Sequence, residues 1–177
     1  MKEIYAGSEK PKIRKASSSD AASLIEYLNI IGSESDFLTF GKGEFGRSIE
    51  DEEKFIESAL KKENALFLIA EINGKVVGNL NFSGGTRKRT AHAGEFGVSV
   101  LKDYWGKGIG GELISYLIGW SRGAGLVRKI NLKVRTDNER GISLYRKLGF
   151  SEEGTLKRDF LIDGKFYDSL LMGLLID

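Results

Sequence analysis

The chain contains no cysteine, which excludes a disulfide framework, a thiolate metal centre and a cysteine nucleophile. A single histidine, His92, rules out a multi-histidine metal site and makes any Ser-His-Asp triad depend on that one residue. No metal is expected. The one proline, Pro11, argues against Pro-rich linkers. No apolar run approaches the roughly 18 residues that a membrane helix needs. The opening MKEIYAGSEKPKIRKA carries charges but lacks the apolar stretch of a secretory signal. A cytoplasmic protein without membrane contact is the expectation. What is present is ordinary globular material: 177 residues, 41% hydrophobic and 29% charged, enough for one domain over 1–177 with a proper core. Lys and Arg number 27 against 25 Asp and Glu, too balanced for a dedicated nucleic-acid binder. The charge is uneven, however. Residues 1–60 hold 8 basic and 12 acidic side chains, and residues 61–177 hold 19 and 13, a division that suits two ligands of opposite sign.

Residues 1–11 read as a lead-in without a regular element, and 12–16 as a short strand. Ser17 and Asp20 have capping-box spacing before Leu24, Ile25, Leu28 and Ile31, which recur at helical intervals. Residues 32–47, rich in Gly and Phe, have no period and read as a loop. Ser48 with Asp51 opens a second helix carrying Phe55, Ile56, Ala59 and Leu60. Strands over 65–72 and 75–82 flank Asn73-Gly74, a hairpin signal because both turn residues must take positive φ. A strand over 92–101 follows the polar Arg87-Lys88-Arg89 turn. A helix lies within 105–125, with Ile109, Leu113, Leu117 and Trp120 on one stripe. Residues 129–135 alternate as a strand, Asn138 caps a helix bearing Ile142, Tyr145 and Leu148, and two last strands meet at Asp163-Gly164. The order β-α-α-β-β-β-α-β-α-β-β implies a mixed sheet with helices on its faces.

Residues 98–114, VSVLKDYWGKGIGGELI, carry the chemistry. Gly106, Gly108, Gly110 and Gly111 lie between a strand and a long helix, where free amides and the positive end of the helix dipole bind phosphate. Lys107 adds a charge. Gly106, Gly108 and Gly111 also satisfy G-x-G-x-x-G. A dinucleotide site, however, needs an acid about 20 positions on, and the first one past the helix, Asp137, comes about 30 beyond Gly106. The P-loop pattern fails at Leu101 and Gly108. A nicotinamide-dependent oxidoreductase is therefore disfavoured.

Trp105-x-x-Gly108-x-Gly110, followed in order by Asn138-x-x-Gly141-x-x-Leu144-Tyr145-x-x-x-Gly149-Phe150, resembles the paired motifs of the GNAT superfamily of acetyl-CoA-dependent N-acetyltransferases. Trp105 stands where that superfamily has Gln or Arg. This is similar to the branch containing ribosomal-protein N-terminal acetyltransferases and small-molecule amine acetyltransferases. Gly141 stands where it has Ala. The resemblance implies an α+β fold: a mixed, mostly antiparallel sheet of about seven strands, central parallel strands splayed apart, and helices on both faces.

It also implies a site. Acetyl-CoA is the co-substrate, its pantetheine arm lying along the first splayed strand on the backbone of Val98, Ser99 and Val100. Trp105, Gly106, Lys107, Gly108, Ile109, Gly110 and Gly111 wrap its pyrophosphate, Asn138 reaches the arm, and Arg140, Ser143 and Lys147 meet the coenzyme end. Tyr145 is the implied general acid, because a phenol is a proton donor at neutral pH. Glu95 is the carboxylate that takes the proton of an incoming ammonium, with His92 and Asp168 as alternative bases, and the Val98 amide faces the developing oxyanion. The acceptor is a small-molecule amine or, alternatively, a protein N-terminus. Glu34, Asp36 and Glu44 lie in the loop that walls the acceptor side. A non-catalytic CoA-binding domain is the rival from another class, and a homodimer is the family-level expectation.

Overall fold

The computed structural model describes residues 10–177. The lead-in read over 1–11 thus lies outside the described residues except for its last two. The elements are β1 (Lys12–Lys15), α1 (Ala21–Glu34), α2 (Ile49–Leu60), β2 (Ala65–Ile72), β3 (Lys75–Gly84), β4 (Ala93–Val100), α3 (Ile109–Ala124), β5 (Lys129–Arg135), α4 (Glu139–Lys147), β6 (Ser151–Ile162) and β7 (Lys165–Leu175), with 3₁₀ turns at Ser18–Asp20 and Lys102–Tyr104. This is the order that the hydrophobic periods indicate. Asn73 and Gly74 take φ of 51° and 77°, and Asp163 and Gly164 take 49° and 76°, the paired left-handed conformation of two-residue hairpin turns. Ser48 Oγ accepts the Asp51 amide at 3.1 Å and starts α2. No helix among the described residues is long and apolar enough to cross a membrane.

One seven-stranded sheet forms, in the order β1-β2-β3-β4-β5-β7-β6, antiparallel except between β4 and β5. Strand alternation sends Leu66, Leu68, Leu80, Phe82, Ile130 and Leu132 to one face, where they pack with Ile109, Leu113, Ile114 and Leu117 of α3. Phe67, Ile69 and Val76 go to the other face, against Leu24, Tyr27, Leu28 and Ile31 of α1 and Ile56 of α2. Each fully buried Leu or Ile contributes about 1.5–3 kcal/mol of transfer free energy. The helical pattern of α2 reads differently in three dimensions. Leu60 stays exposed, while Glu52 is 1% exposed. Glu52 tolerates burial because Arg47 Nη1 lies 2.6 Å from its Oε2, and the same guanidinium sits 4.4 Å from the Phe55 ring centroid.

The sheet opens in its middle. β4 and β5 pair only over Ala93↔Lys129, Gly94↔Ile130 and Glu95↔Asn131. Beyond that, β4 stays on β3 as far as Gly78↔Val100, and β5 stays on β7 as far as Arg135↔Ser169. Two neighbouring strands, each held on its outer side, therefore part and leave a fork.

Candidate active site

The register decides what lines the fork. The Leu101 amide donates to Val77 O at 2.9 Å, which makes Gly78↔Val100 a non-hydrogen-bonded pair. Counting back by twos, Phe96, Val98 and Val100 direct their backbone groups away from β3 and toward the fork. An edge with unpaired N–H and C=O groups is a template for an extended, amide-bearing ligand. The Val100 carbonyl is already taken, since the Trp105 indole donates to it at 2.6 Å. Its amide and both backbone groups of Val98 face the opening. Ser99 turns the other way: its backbone faces β3, its Oγ donates to Asn79 Oδ1 at 2.8 Å, and the Tyr27 hydroxyl lies 2.8 Å from that Oγ. Burial pushes the Tyr27 phenol well above its ordinary pKa.

At the mouth of the fork the chain turns through Trp105 to Gly108 into α3. Gly106 and Gly108 hold φ of 80° and 81°, a region costly for any residue with a Cβ. The Glu112 amide makes a helical bond to Gly108 O at 3.0 Å, so the amides of Ile109, Gly110 and Gly111 precede the helix ladder and point outward at its positive end. α4 lies against this turn. A Cβ added at Gly110 or Gly111 would stand 3.7 or 3.6 Å from the Leu144 side chain, and one at Gly106 would stand 3.6 Å from Arg140 Nη2. The Arg140 guanidinium is 5.6 Å from the Trp105 ring centroid, and the Lys107 ammonium is 4.8 Å from that of Tyr104. Ser143 and Lys147 are exposed on α4 beyond Arg140. Asn138 Oδ1 accepts the Gly141 amide at 2.9 Å and caps α4. Outward amides with two cations suit a pyrophosphate, and the open β4 edge suits an amide-bearing arm. The residues present therefore fit coenzyme A.

Tyr145 projects from α4 onto Phe96, the first β4 residue beyond the last β4–β5 pair, with ring centroids 6.1 Å apart. Its ring also packs on Phe150 at 6.1 Å. Among the described residues its hydroxyl has no hydrogen-bond partner, and burial pushes its pKa up to about 12. Glu95 is exposed on the opposite face, the face of Ser99 and α1. A Cβ added at the intervening Gly97 would meet nothing within 4 Å, so that face is hollow between Glu95 and Ser99. A proton donor and a carboxylate thus flank the fork from its two faces.

Other candidates lie elsewhere. His92 sits at the closed end of the β4–β5 pair, where its carbonyl accepts the amides of Arg128 and Lys129, and the exposed Arg87-Lys88-Arg89 turn is at that same end. The Asp168 carboxylate secures an irregularity in β6, accepting Lys157 Nζ at 2.9 Å and the Arg158 amide at 2.9 Å. These bonds hold it below the usual carboxylate range. Glu34 accepts the Lys102 amide at 2.8 Å and Glu44 the Gly41 amide at 2.7 Å. Glu34 is the last residue of α1 and not part of the loop. Of these three acids only Asp36 has a carboxylate without a hydrogen bond among the described residues, lying instead in the field of the Arg135 guanidinium. The sequence reading passed over Arg135. At the end of β5 its buried guanidinium donates to Asp137 and to the Asp36 carbonyl, and lies 3.8 Å from the Tyr167 ring centroid.

A mixed sheet forked at its one parallel pair, with a turn of outward-pointing amides at the mouth, is the framework of an acyl-coenzyme A-dependent transferase. Residues 33–150 match the model of the Acetyltransferase (GNAT) family, and the chain belongs to that family. It is an acetyl-CoA-dependent acetyltransferase. The L-amino acid N-acetyltransferase AaaT of Escherichia coli is 35% identical over 109 residues, covering 59% of this chain and 65% of that protein. A GNAT acetyltransferase from Streptococcus pneumoniae superposes with a TM-score of 0.92 at 35% identity, over 95% of this chain and all of that one. The ribosomal-protein-alanine N-acetyltransferase of Brucella melitensis superposes with a TM-score of 0.81 at 26% identity, over 93% and 99%. The mostly antiparallel seven-stranded sheet with its parallel central pair and the family resemblance are both borne out.

Proposed function

We propose that residues 1–177 act as one N-acetyltransferase domain that passes acetyl from acetyl-CoA to a primary amine by direct attack within a ternary complex, with a small-molecule amine as acceptor. The observation that carries this reading is the fork, with Tyr145 on one face and Glu95 on the other where the strands part. Acetyl-CoA supplies a thioester-activated acetyl group. The Val98 carbonyl and the Val100 amide bind its amide-bearing arm, the amides from Gly106 to Gly111 hold its phosphates, and Arg140, Lys107 and Lys147 add positive charge there. The Val98 amide faces the fork and is the donor available to a developing oxyanion. Glu95 takes a proton from the acceptor ammonium, which cannot attack while protonated. Tyr145 keeps its proton at neutral pH because burial holds its pKa near 12, so it is a donor throughout the working range. No covalent intermediate on the enzyme is invoked, and the chain has no cysteine to form one.

A small acceptor is favoured because the end of α1 and the segment after it cross the fork on the Glu95 face, tied through Glu34 to Lys102 on one side and through Asp36 to Arg135 on the other. The relationship to AaaT, an L-amino acid N-acetyltransferase, points the same way. The second reading, a protein N-terminus as acceptor, draws on Trp105 in the glycine turn and on the likeness to the Brucella ribosomal-protein-alanine enzyme. The test is acetyl-CoA turnover, followed by thiol release, against amino acids, polyamines, aminoglycosides and short peptides with free N-termini. Turnover of a small amine supports the first reading and preference for a peptide supports the second. Tight acetyl-CoA binding without turnover of any amine returns the chain to a non-catalytic CoA-binding domain.

A further inference from the structure

One short segment spans the open fork. At the end of α1 the Glu34 carboxylate holds the Lys102 amide just beyond β4. Two residues later the Asp36 carbonyl accepts Arg135 Nη1 at 2.7 Å at the end of β5, 99 positions along the chain. The Phe37 ring centroid follows at 4.9 Å from the guanidinium. Two further donors of Arg135 are committed to Asp137, Nε to Oδ1 at 3.0 Å and Nη2 to Oδ2 at 2.6 Å. Asp137 immediately precedes Asn138, the cap of the helix that carries Tyr145. Arg135 is 5% exposed, although an apolar residue there would avoid the desolvation of a buried cation. While stacked on the Tyr167 ring at 3.8 Å, its planar fork contacts both the segment over the acceptor face and the start of α4, and a lysine cannot reproduce both.

We propose that Arg135 is a positioning residue. Through Asp36 and Phe37 it fastens residues 35–40 across the fork as the wall of the acceptor side, and through Asp137 it ties that wall to α4. The proposal rests on the acetyl-transfer reading for the identity of that side, and deepens it by naming what sets acceptor fit.

The test uses the full chain with Phe37→Ala, Arg135→Gln and Arg135→Lys. Phe37 is 40% exposed, so its truncation leaves the fold standing even if the arginine variants do not fold. Two readouts are taken well below the melting temperature: trypsin cleavage after the exposed Lys42, and kinetics with the amine that the parent turns over. The expected result is faster cleavage after Lys42 in all three variants. The acceptor KM should rise about threefold to tenfold in Phe37→Ala, the scale of one cation–π contact, and more in Arg135→Gln, with the acetyl-CoA Kd within about twofold. Arg135→Lys should fail to restore the acceptor KM. Unchanged Lys42 cleavage overturns the clamp whatever the acceptor. Faster cleavage with an unchanged acceptor KM, or full rescue by lysine, overturns the positioning role. A parent that turns over no amine defeats the acetyl-transfer reading separately, while the cleavage readout still reports on the clamp.

Discussion

Replacing Tyr145 with phenylalanine separates chemistry from packing, because the structure gives the ring and the hydroxyl different surroundings. The ring meets Phe96 and Phe150 edge-on, contacts that phenylalanine keeps. The hydroxyl has no hydrogen-bond partner among the described residues, so its removal orphans no donor or acceptor. The stability cost is therefore about 0.5 kcal/mol or less, or at most about 2 °C in Tm for a chain of this size. The catalytic cost is of another order. Loss of a positioned general acid lowers kcat by about 10²- to 10⁴-fold, which is about 3–5 kcal/mol in the barrier. The acetyl-CoA KM should move by no more than about twofold, because the groups assigned to coenzyme binding are untouched. Initial rates of thiol release at saturating acetyl-CoA, with a thermal melt of each protein, measure all three quantities. A variant with parental kcat and parental Tm makes Tyr145 a core aromatic and nothing more. A Tm lowered by many degrees shows that the hydroxyl has a structural partner, and defeats the separation itself.

Three further outcomes follow from the same geometry. With Tyr145 protonated up to about pH 12, kcat should rise to a plateau with pH and show no alkaline fall below about pH 11; a fall in the ordinary tyrosine range near pH 10 refutes its assignment as donor. Gly106→Ala has room for its methyl, 3.6 Å from Arg140 Nη2, but forces a residue with a Cβ to φ of 80°. It should cost about 1–2 kcal/mol by urea unfolding and raise the acetyl-CoA KM, and parental values of both would remove the strained turn from the argument. The third outcome concerns Asp20, whose carboxylate lies in the fork of Arg14 at 2.7 and 2.8 Å and is held down to about 2. A depressed folded-state pKa contributes stability that is present above the unfolded value near 3.9 and is lost as pH falls toward 2. The urea midpoint should therefore drop across that window, and Asp20→Asn should flatten the drop while costing about 2 kcal/mol at neutral pH. An equal drop in parent and variant would contradict this assignment.

Local rules carried the fold a long way. Asn73-Gly74 and Asp163-Gly164 demand positive φ at both residues and so mark two hairpins without reference to anything distant. Ser48 with Asp51 marks a helix start by the same local chemistry. The helical and strand periods yield the element order because burial on one face is a property of each segment alone. The glycine turn with the Asn138-to-Phe150 motif was also legible, since each motif is contiguous in the chain. Burial patterns were less secure where a polar residue found a partner. The helical period of α2 favours an apolar Leu60, yet Glu52 is the residue that goes inside because Arg47 meets it there.

The sequence by itself determined the elements, their order, the helix caps, the hairpins and the two motifs that identify the family. All of these depend on interactions within a few residues. Only the tertiary structure decided where β4 and β5 part, because a register is a relation between strands and not a property of either. That register turns the backbone of Val98 and Val100 to the opening and that of Ser99 to β3. It also brings Tyr145 and Glu95 to opposite faces of one fork. The Trp105 indole on the Val100 carbonyl, Asp168 spent on β6, and Arg135 reaching back to Asp36 are likewise contacts that form once the sheet has assembled. A chain encodes such contacts only through the whole packed core, whereas its turns and caps are written in neighbouring residues.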